Sequence, residues 1–178
     1  MPTYEYNRDY PFAAFITNLG KYNEGELIGE WVKFPTTAEE IKAAMDSIGI
    51  GQKDDFGYAY EEWFITDYDC YVDGLYGKLG EYVNLDELNY LASKLDEMSQ
   101  REYEQFQAAM SVGDHGGSLQ DMINLTENLD CYEVNPNITD YDDLGRYYIN
   151  ELEAMQVPEY LENYIDYEAY GRDVALDE

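Results

Sequence analysis

Apolar side chains recur at three- and four-residue steps through "NLDELNYLASKLDEMSQREYEQFQAAMSV" (84–112). Leu85, Leu88, Leu91, Leu95 and Met98 come first, then Tyr103, Phe106 and Met110. That spacing lays them along one stripe of an α-helix, and the pattern predicts two helices with a break near Ser99. "SLQDMINLTENL" (118–129) predicts a third, across a "GDHGG" loop. The chain before them follows a different rhythm. "FAAFITNLGKYNEGELIGEWVKFP" (12–35) reads as a strand, a Gly-rich turn and a second strand. Phe15, Leu27 and Trp31 supply the strand-type apolar content, and Pro35 stops it. "TTAEEIKAAMDSIGIG" (36–51) predicts a helix with Thr36 or Thr37 as its cap and acidic residues in its first turn. Ile41, Ala44, Met45 and Ile48 form its stripe and Gly49 its end. "YEEWFITDYDCY" (60–71) returns to β.

The final third opens on a short β-like "CYEV" (131–134) and an Asn-Pro turn. "DYDDLGRYYINELEAM" (140–155) and "PEYLENYIDYEAYG" (158–171) then read as helices, starting at Asp140 and Pro158. Residues 1–11 read as a polar lead-in. No solenoid-length repeat, low-complexity tract or long linker interrupts the chain. The expected class is α+β in three small abutting segments. Residues 12–73 form an α+β unit, 74–128 a helical one, and 129–178 a mainly helical one with short β segments.

Composition changes this picture through charge. The chain has 178 residues, 45% hydrophobic and 16% aromatic with 20 tyrosines, which is ample material to fold. Yet 39 acidic residues face 10 basic ones, a formal net charge of -29. Charge of that size opposes compaction, and an elongated body would spread it. Tyrosine suits such a body, because its ring packs while its hydroxyl stays wet. The field repels nucleic-acid phosphates and anionic membranes, so neither is an expected partner. It attracts basic surfaces, notably those that hold DNA or RNA. At about one charge per 1.7 Å of B-form axis, it matches about 49 Å of duplex, roughly 15 base pairs.

Discrete chemistry is harder to find. Cys70 and Cys131 lie too far apart to suggest a disulfide framework or a zinc site. His115 is the sole histidine, so a triad or an imidazole metal cluster lacks parts. "DYDCYVDG" (67–74) fails as a calcium loop: Val72 stands where the turn glycine belongs, and Lys78 where the closing glutamate does. "GIGQKDDFG" (49–57) lacks phosphate-loop spacing. With so many acids, catalytic-looking carboxylate pairs arise by chance. The reading is therefore no catalytic residue, no metal and no cofactor. The N-terminus lacks a basic start or an apolar run of signal-peptide length, and no segment approaches the ~20 apolar residues of a membrane span. A reducing cytoplasm is the expected compartment, and the sequons at Asn124 and Asn137 read as chance matches.

Two stretches carry a specific resemblance. "NLGKYNEGELIGEWVKFP" and "VPEYLENYIDYEAYGRDVAL" resemble the ArdA antirestriction family, and "DLGRYYINELEAM" is similar to its third domain. The resemblance spans roughly residues 13–176, strongest at both ends, with an N-terminal extension of about a dozen residues ahead of it. It implies a cytoplasmic protein carried by mobile DNA, with three small domains in a curved, elongated body resembling bent B-form DNA. It also implies a homodimer joined through the third domain, seated in the DNA groove of a Type I restriction–modification enzyme.

On that resemblance, the carboxylates standing for phosphates are Glu24, Glu26, Asp67, Asp69 and Asp73 in the first segment. Asp86, Glu87, Asp96, Glu97, Glu102 and Glu104 follow in the second, and Asp140, Asp142, Asp143, Glu159, Glu162, Asp166, Glu168 and Asp173 in the third. Tyr147, Tyr148, Leu152 and Tyr164 are the expected dimer contacts. Taken singly, each acid reads as part of a solvated face. Leu19, Gly20, Gly25 and Trp31 read as turn and core residues, with Glu24 and Glu26 on the outer face. The alternatives are a general acidic partner or chaperone of basic nucleic-acid-binding proteins, and a carboxylate enzyme.

Overall fold

The computed structural model describes residues 2–113 and 116–177; Asp114 and His115 lie outside them. The chain gathers into two compact units, Met1–Glu133 and Val134–Glu178. The segments 12–73 and 74–128 both fall in the first.

The first unit is built on three antiparallel strands in the order β2-β1-β3: β1 (Phe12–Asn18), β2 (Gly29–Phe34) and β3 (Trp63–Cys70). A short helix, α1 (Leu19–Asn23), stands in the expected Gly-rich turn. Leu27 falls in the loop before β2 and is exposed, so it does not contribute strand packing. β2 ends at Phe34 before Pro35, whose missing N–H cannot continue the ladder. Thr37, not Thr36, caps α2 (Ala38–Ser47). Its hydroxyl accepts from the Glu40 N–H while the Glu40 carboxylate accepts from the Thr37 N–H. Gly49, at φ 83°, lets the chain leave the helix in a conformation that side chains disfavour.

The two long helices are α3 (Leu85–Glu97) and α4 (Gln100–Val112), parted at Ser99 as the pattern predicts. The Ser99 side chain caps α4 through the Glu102 N–H at 3.3 Å, and Glu102 accepts from the Ser99 N–H at 2.8 Å. α5 (Leu119–Thr126) follows, capped by Ser118. The stripe residues Leu88, Leu91, Leu95, Phe106 and Met110 are buried, together with Phe12, Ala14, Ile16, Val32, Phe34 and Ile65 of the sheet. All belong to one apolar cluster running from Tyr4 to Leu129.

Residues 1–11 are not a polar lead-in. Tyr4 and Tyr10 are buried in that cluster. The Tyr4 ring meets Tyr103 edge-on at 5.5 Å while its hydroxyl donates to Asp96 at 3.2 Å; Tyr10 packs edge-on against Tyr71. Tyrosine's two-ended chemistry lets a polar-looking sequence enter a core.

The second unit contains no strand among the described residues. The expected strand at "CYEV" is replaced by a 3-10 turn, Leu129–Cys131, ending in extended backbone with no partner strand. α6 (Tyr141–Arg146) starts at Asp140 and runs on as a π-turn over Tyr147–Glu151. The helix expected from Pro158 is broken in two: a 3-10 helix (Glu159–Tyr164), then α7 (Tyr167–Asp177). The chain turns extended at Ile165, and Asp166 then caps a new helix, its side chain accepting from the Ala169 N–H at 3.0 Å.

α6 and α7 cross at a pair of buried glycines. A Cβ built on Gly145 would overlap the Tyr167 carbonyl and lie 3.2 Å from the Gly171 nitrogen. One built on Gly171 would overlap the Tyr141 carbonyl and lie 2.8 Å from the Gly145 nitrogen. The contact is reciprocal, and so is the sequence. Asp140-Tyr-Asp-Asp-Leu-Gly-Arg146 and Asp166-Tyr-Glu-Ala-Tyr-Gly-Arg172 repeat one pattern: cap, tyrosine, acid, two spacers, glycine, arginine. Each arginine reaches back one turn, Arg146 to Asp142 and Arg172 to Glu168. This short repeat escapes a search for solenoid-length periods.

A candidate acidic interaction surface

Of the nineteen carboxylates expected to face a partner, fifteen are exposed. Glu87, Asp96, Asp142 and Asp143 are half-buried, and none is buried. Desolvating a charge is costly, so a chain this acidic has little choice but to carry its carboxylates outside.

The acids differ in what else they do. Glu24 and Glu26 share Lys21, at 3.0 and 3.7 Å, and the Tyr60 hydroxyl donates to Glu24 at 2.8 Å. Those contacts, the Tyr60 hydrogen bond foremost, hold the Glu24 carboxyl below its usual range. Asp67 and Asp69 stand two residues apart on β3, opposite Phe15 and Ala13, so they share the face of the sheet away from the helices. Tyrosine hydroxyls donate to both: Tyr76 to Asp67, and Tyr71 to Asp69. Asp73 is exposed just beyond β3.

On the helices, Asp86 and Glu87 occupy the first turn of α3, where the helix dipole favours negative charge. Asp96 and Glu97 occupy the last turn, where it does not, and Asp96 is engaged by Tyr4. Glu102 is held below the usual carboxyl range by hydrogen bonds from the Ser99 hydroxyl and N–H. Glu104 accepts from Gln100 at 3.1 Å.

In the second unit Asp140 and Asp166 are helix caps and Asp142 and Glu168 are paired with arginines. The Thr139 hydroxyl and N–H lower the Asp143 carboxyl. Glu159, Glu162 and Asp173 are exposed without such a local structural task among the described residues. Of the expected dimer contacts, Leu152 and Tyr164 are exposed, the latter at 84%. Tyr147 and Tyr148 are half-buried and meet edge-on at 6.0 Å.

Sequence reasoning missed the division of labour among these acids. The signal was present as Thr-x-x-Glu and Ser-x-x-Glu boxes and as the repeated cap-to-arginine pattern. It also missed that Trp31 is not a core residue. Trp31 is 47% exposed and packs against Phe15, ring centroids 5.3 Å apart and planes tilted by 52°, on the same outer sheet face as Asp67.

Burial pushes the Cys70 thiol up to about 11, which keeps it protonated at neutral pH and a poor nucleophile. Among the described residues no group of three or more His, Cys, Asp or Glu is placed to hold a metal ion, and no helix is long and apolar enough to cross a membrane.

No curated protein matches the chain. A family model described as antirestriction protein (ArdA) matches residues 14–178, nearly its whole length. The match includes both the β1–β2 motif and the glycine-crossed helix pair. Membership implies an inhibitor acting on restriction–modification enzymes rather than an enzyme. The chain belongs to the ArdA family of antirestriction proteins.

Proposed function

We propose that this protein inhibits Type I restriction–modification enzymes in the cytoplasm by imitating the charge and shape of bent B-form DNA. It would occupy the basic groove of the methyltransferase core, its carboxylates standing where phosphates would lie. The observation that supports this most is the placement of the acids. Nineteen candidate carboxylates drawn from all three segments reach solvent, within a chain of net charge -29. A general acidic partner or chaperone of basic proteins would share the charge without needing individual carboxylates held in place. Caps and tyrosine hydroxyls that fix carboxylates in place favour the imitation of a track over a diffuse cloud.

The reading predicts collective behaviour. Exposed charge pairs are individually weak, so neutralising any one of Asp73, Asp86, Glu97, Glu159, Glu162 or Asp173 to its amide should change inhibition less than about threefold. All six together should weaken it ~100-fold or more. Competition with target DNA reads the series, with circular dichroism checking the fold. A single amide that abolishes inhibition in a folded protein rules out the shared field and points to one discrete site.

A homodimer through residues 140–170 belongs to the same proposal, since a twofold axis would lengthen the track. The exposed Leu152 and Tyr164 support it, because apolar contact is needed to offset repulsion between two acidic bodies. Sedimentation of the Leu152→Glu, Tyr164→Glu double variant is expected to show monomer where the parent shows dimer; an unchanged dimer moves the interface elsewhere.

A further inference from the structure

The outer face of the first unit's sheet is built against expectation. An antiparallel sheet packed on one side usually turns polar residues to water on the other. Here β1 and β2 present Phe15 and Trp31, directly opposite one another, and β3 adds Phe64 opposite Thr17. Tyr22 meets Phe64 edge-on at 5.1 Å, and Tyr82 stacks on Phe64 at 5.9 Å with planes 19° apart. Phe64 is buried, yet it belongs to no part of the main apolar cluster; the rings around it form a second, separate one.

Phe15, Tyr22, Trp31 and Phe64, with Leu27, line a groove of about 700 Å³, and its polar wall is Thr66, Asp67 and Glu81. Among the described residues no basic side chain lines it. Lys21 and Lys33 are engaged elsewhere: Lys21 with Glu24, Glu26 and the Tyr60 ring, and Lys33 over the Tyr10 ring at 4.6 Å.

An aromatic floor beneath a wall of two carboxylates selects one kind of visitor. An inorganic cation or a lysine ammonium gains from the acids but leaves the flat ring faces poorly used. A planar guanidinium does both: it stacks on an indole or phenyl face and offers parallel N–H donors to a carboxylate. We infer that this groove receives an arginine side chain from the basic protein partner, stacked on the Trp31 indole beside the tilted Phe15 ring and hydrogen-bonded to Asp67 and Glu81. The inference rests on the proposed function for its partner, a protein surface rich in phosphate-binding cations. It adds a discrete anchor to a contact otherwise carried by a diffuse field, as buried aromatic–arginine pairs do at other interfaces.

The test uses the full-length protein with Trp63→Phe, which leaves Trp31 as the sole tryptophan reporter. It is titrated with capped Gly-Arg-Gly-Arg-Gly and with the lysine peptide of equal charge. The arginine peptide is expected to bind at least fivefold tighter and to change Trp31 fluorescence. Trp31→Ala, followed by NMR shifts in the Trp63→Phe background, and the Asp67→Asn, Glu81→Gln pair should each remove that preference. Equal binding of the two peptides, or a preference that survives both variants, overturns the groove. DNA competition by the unaltered protein is scored separately. Competition that persists while the peptides fail to discriminate leaves the antirestriction reading standing without this anchor; arginine capture without DNA competition does the reverse.

Discussion

The two compact units solve the same problem of holding an acidic chain together by different means. Residues 1–133 bury large side chains: Phe12, Phe34, Leu88, Leu91, Leu95 and Phe106 are fully enclosed in one cluster. Residues 134–178 carry 12 acidic and 2 basic side chains, a net of -10, on 45 residues. Their buried large side chains are Ile149 and Tyr167 among the described residues. What replaces apolar volume there is backbone proximity, with two glycines letting α6 and α7 touch and Arg146 lying 4.2 Å over the Tyr167 ring. An apolar core gains stability in proportion to area buried. A glycine crossing gains it from close dispersion contact, which a single methyl group can abolish. The contrast is between a unit that tolerates charge because it has volume to spare, and one that tolerates it because its helices fit.

The largest effects should separate the units. Phe106→Ala removes a fully buried ring from the first core and is expected to cost about 3–5 kcal/mol. Hydrogen exchange should then show lost protection across 12–133. Gly145→Ala or Gly171→Ala adds one carbon where a carbonyl already stands. Overpacking of this kind costs about 1–3 kcal/mol or more, and here it should remove protection from 141–177 while the first core keeps its own. If the glycine variants keep α6 and α7 protected, fit is not what holds the second unit. If Phe106→Ala leaves the first core untouched, volume is not what holds that one.

A smaller effect sharpens the contrast between local bonding and global repulsion. Glu102→Gln lowers the net negative charge by one, which the field alone would reward. Yet Glu102 is hydrogen-bonded to Ser99 and its pKa is depressed in the fold. A depressed carboxyl contributes stability above its unfolded value, about 4.3, and loses it as pH falls through the lowered folded value. The parent should therefore be more stable than the variant from about pH 5 to 8, with the gap closing below about pH 4. Thermal melts across pH measure this. A variant more stable than the parent at pH 7 would show the global field outweighing the cap.

Much of the fold was legible in the sequence, because it rests on local rules. The 85–112 stripe, the break at Ser99 and the cap at the second helix follow from periodicity and side-chain oxygens close in sequence. Legibility failed where tertiary contact decides. Tyr4 and Tyr10 look polar until a core accepts their rings. Trp31 looks like core until the sheet is seen to be covered on one face. Asp166 looks like one more acid in a helix until it caps the next one. The acidic surface was legible as a sum, since charge is additive along a chain. Which carboxylates cap, pair or stand free was legible only in part: the Thr-x-x-Glu and Ser-x-x-Glu boxes lie open in the sequence, whereas the tyrosines that engage Glu24 and Asp96 come from 36 and 92 residues away.

The central claim, that inhibition is charge imitation of a duplex, is tested most directly by the salt dependence of binding to a Type I methyltransferase core. Affinity is measured by displacement of labelled target DNA, from about 50 to 500 mM sodium chloride. The protein is expected to displace DNA and to weaken steeply as salt rises, because ions screen the attraction between its carboxylates and the basic groove. Displacement with an affinity that does not change across that range would contradict the account, as would a failure to displace DNA at the lowest salt.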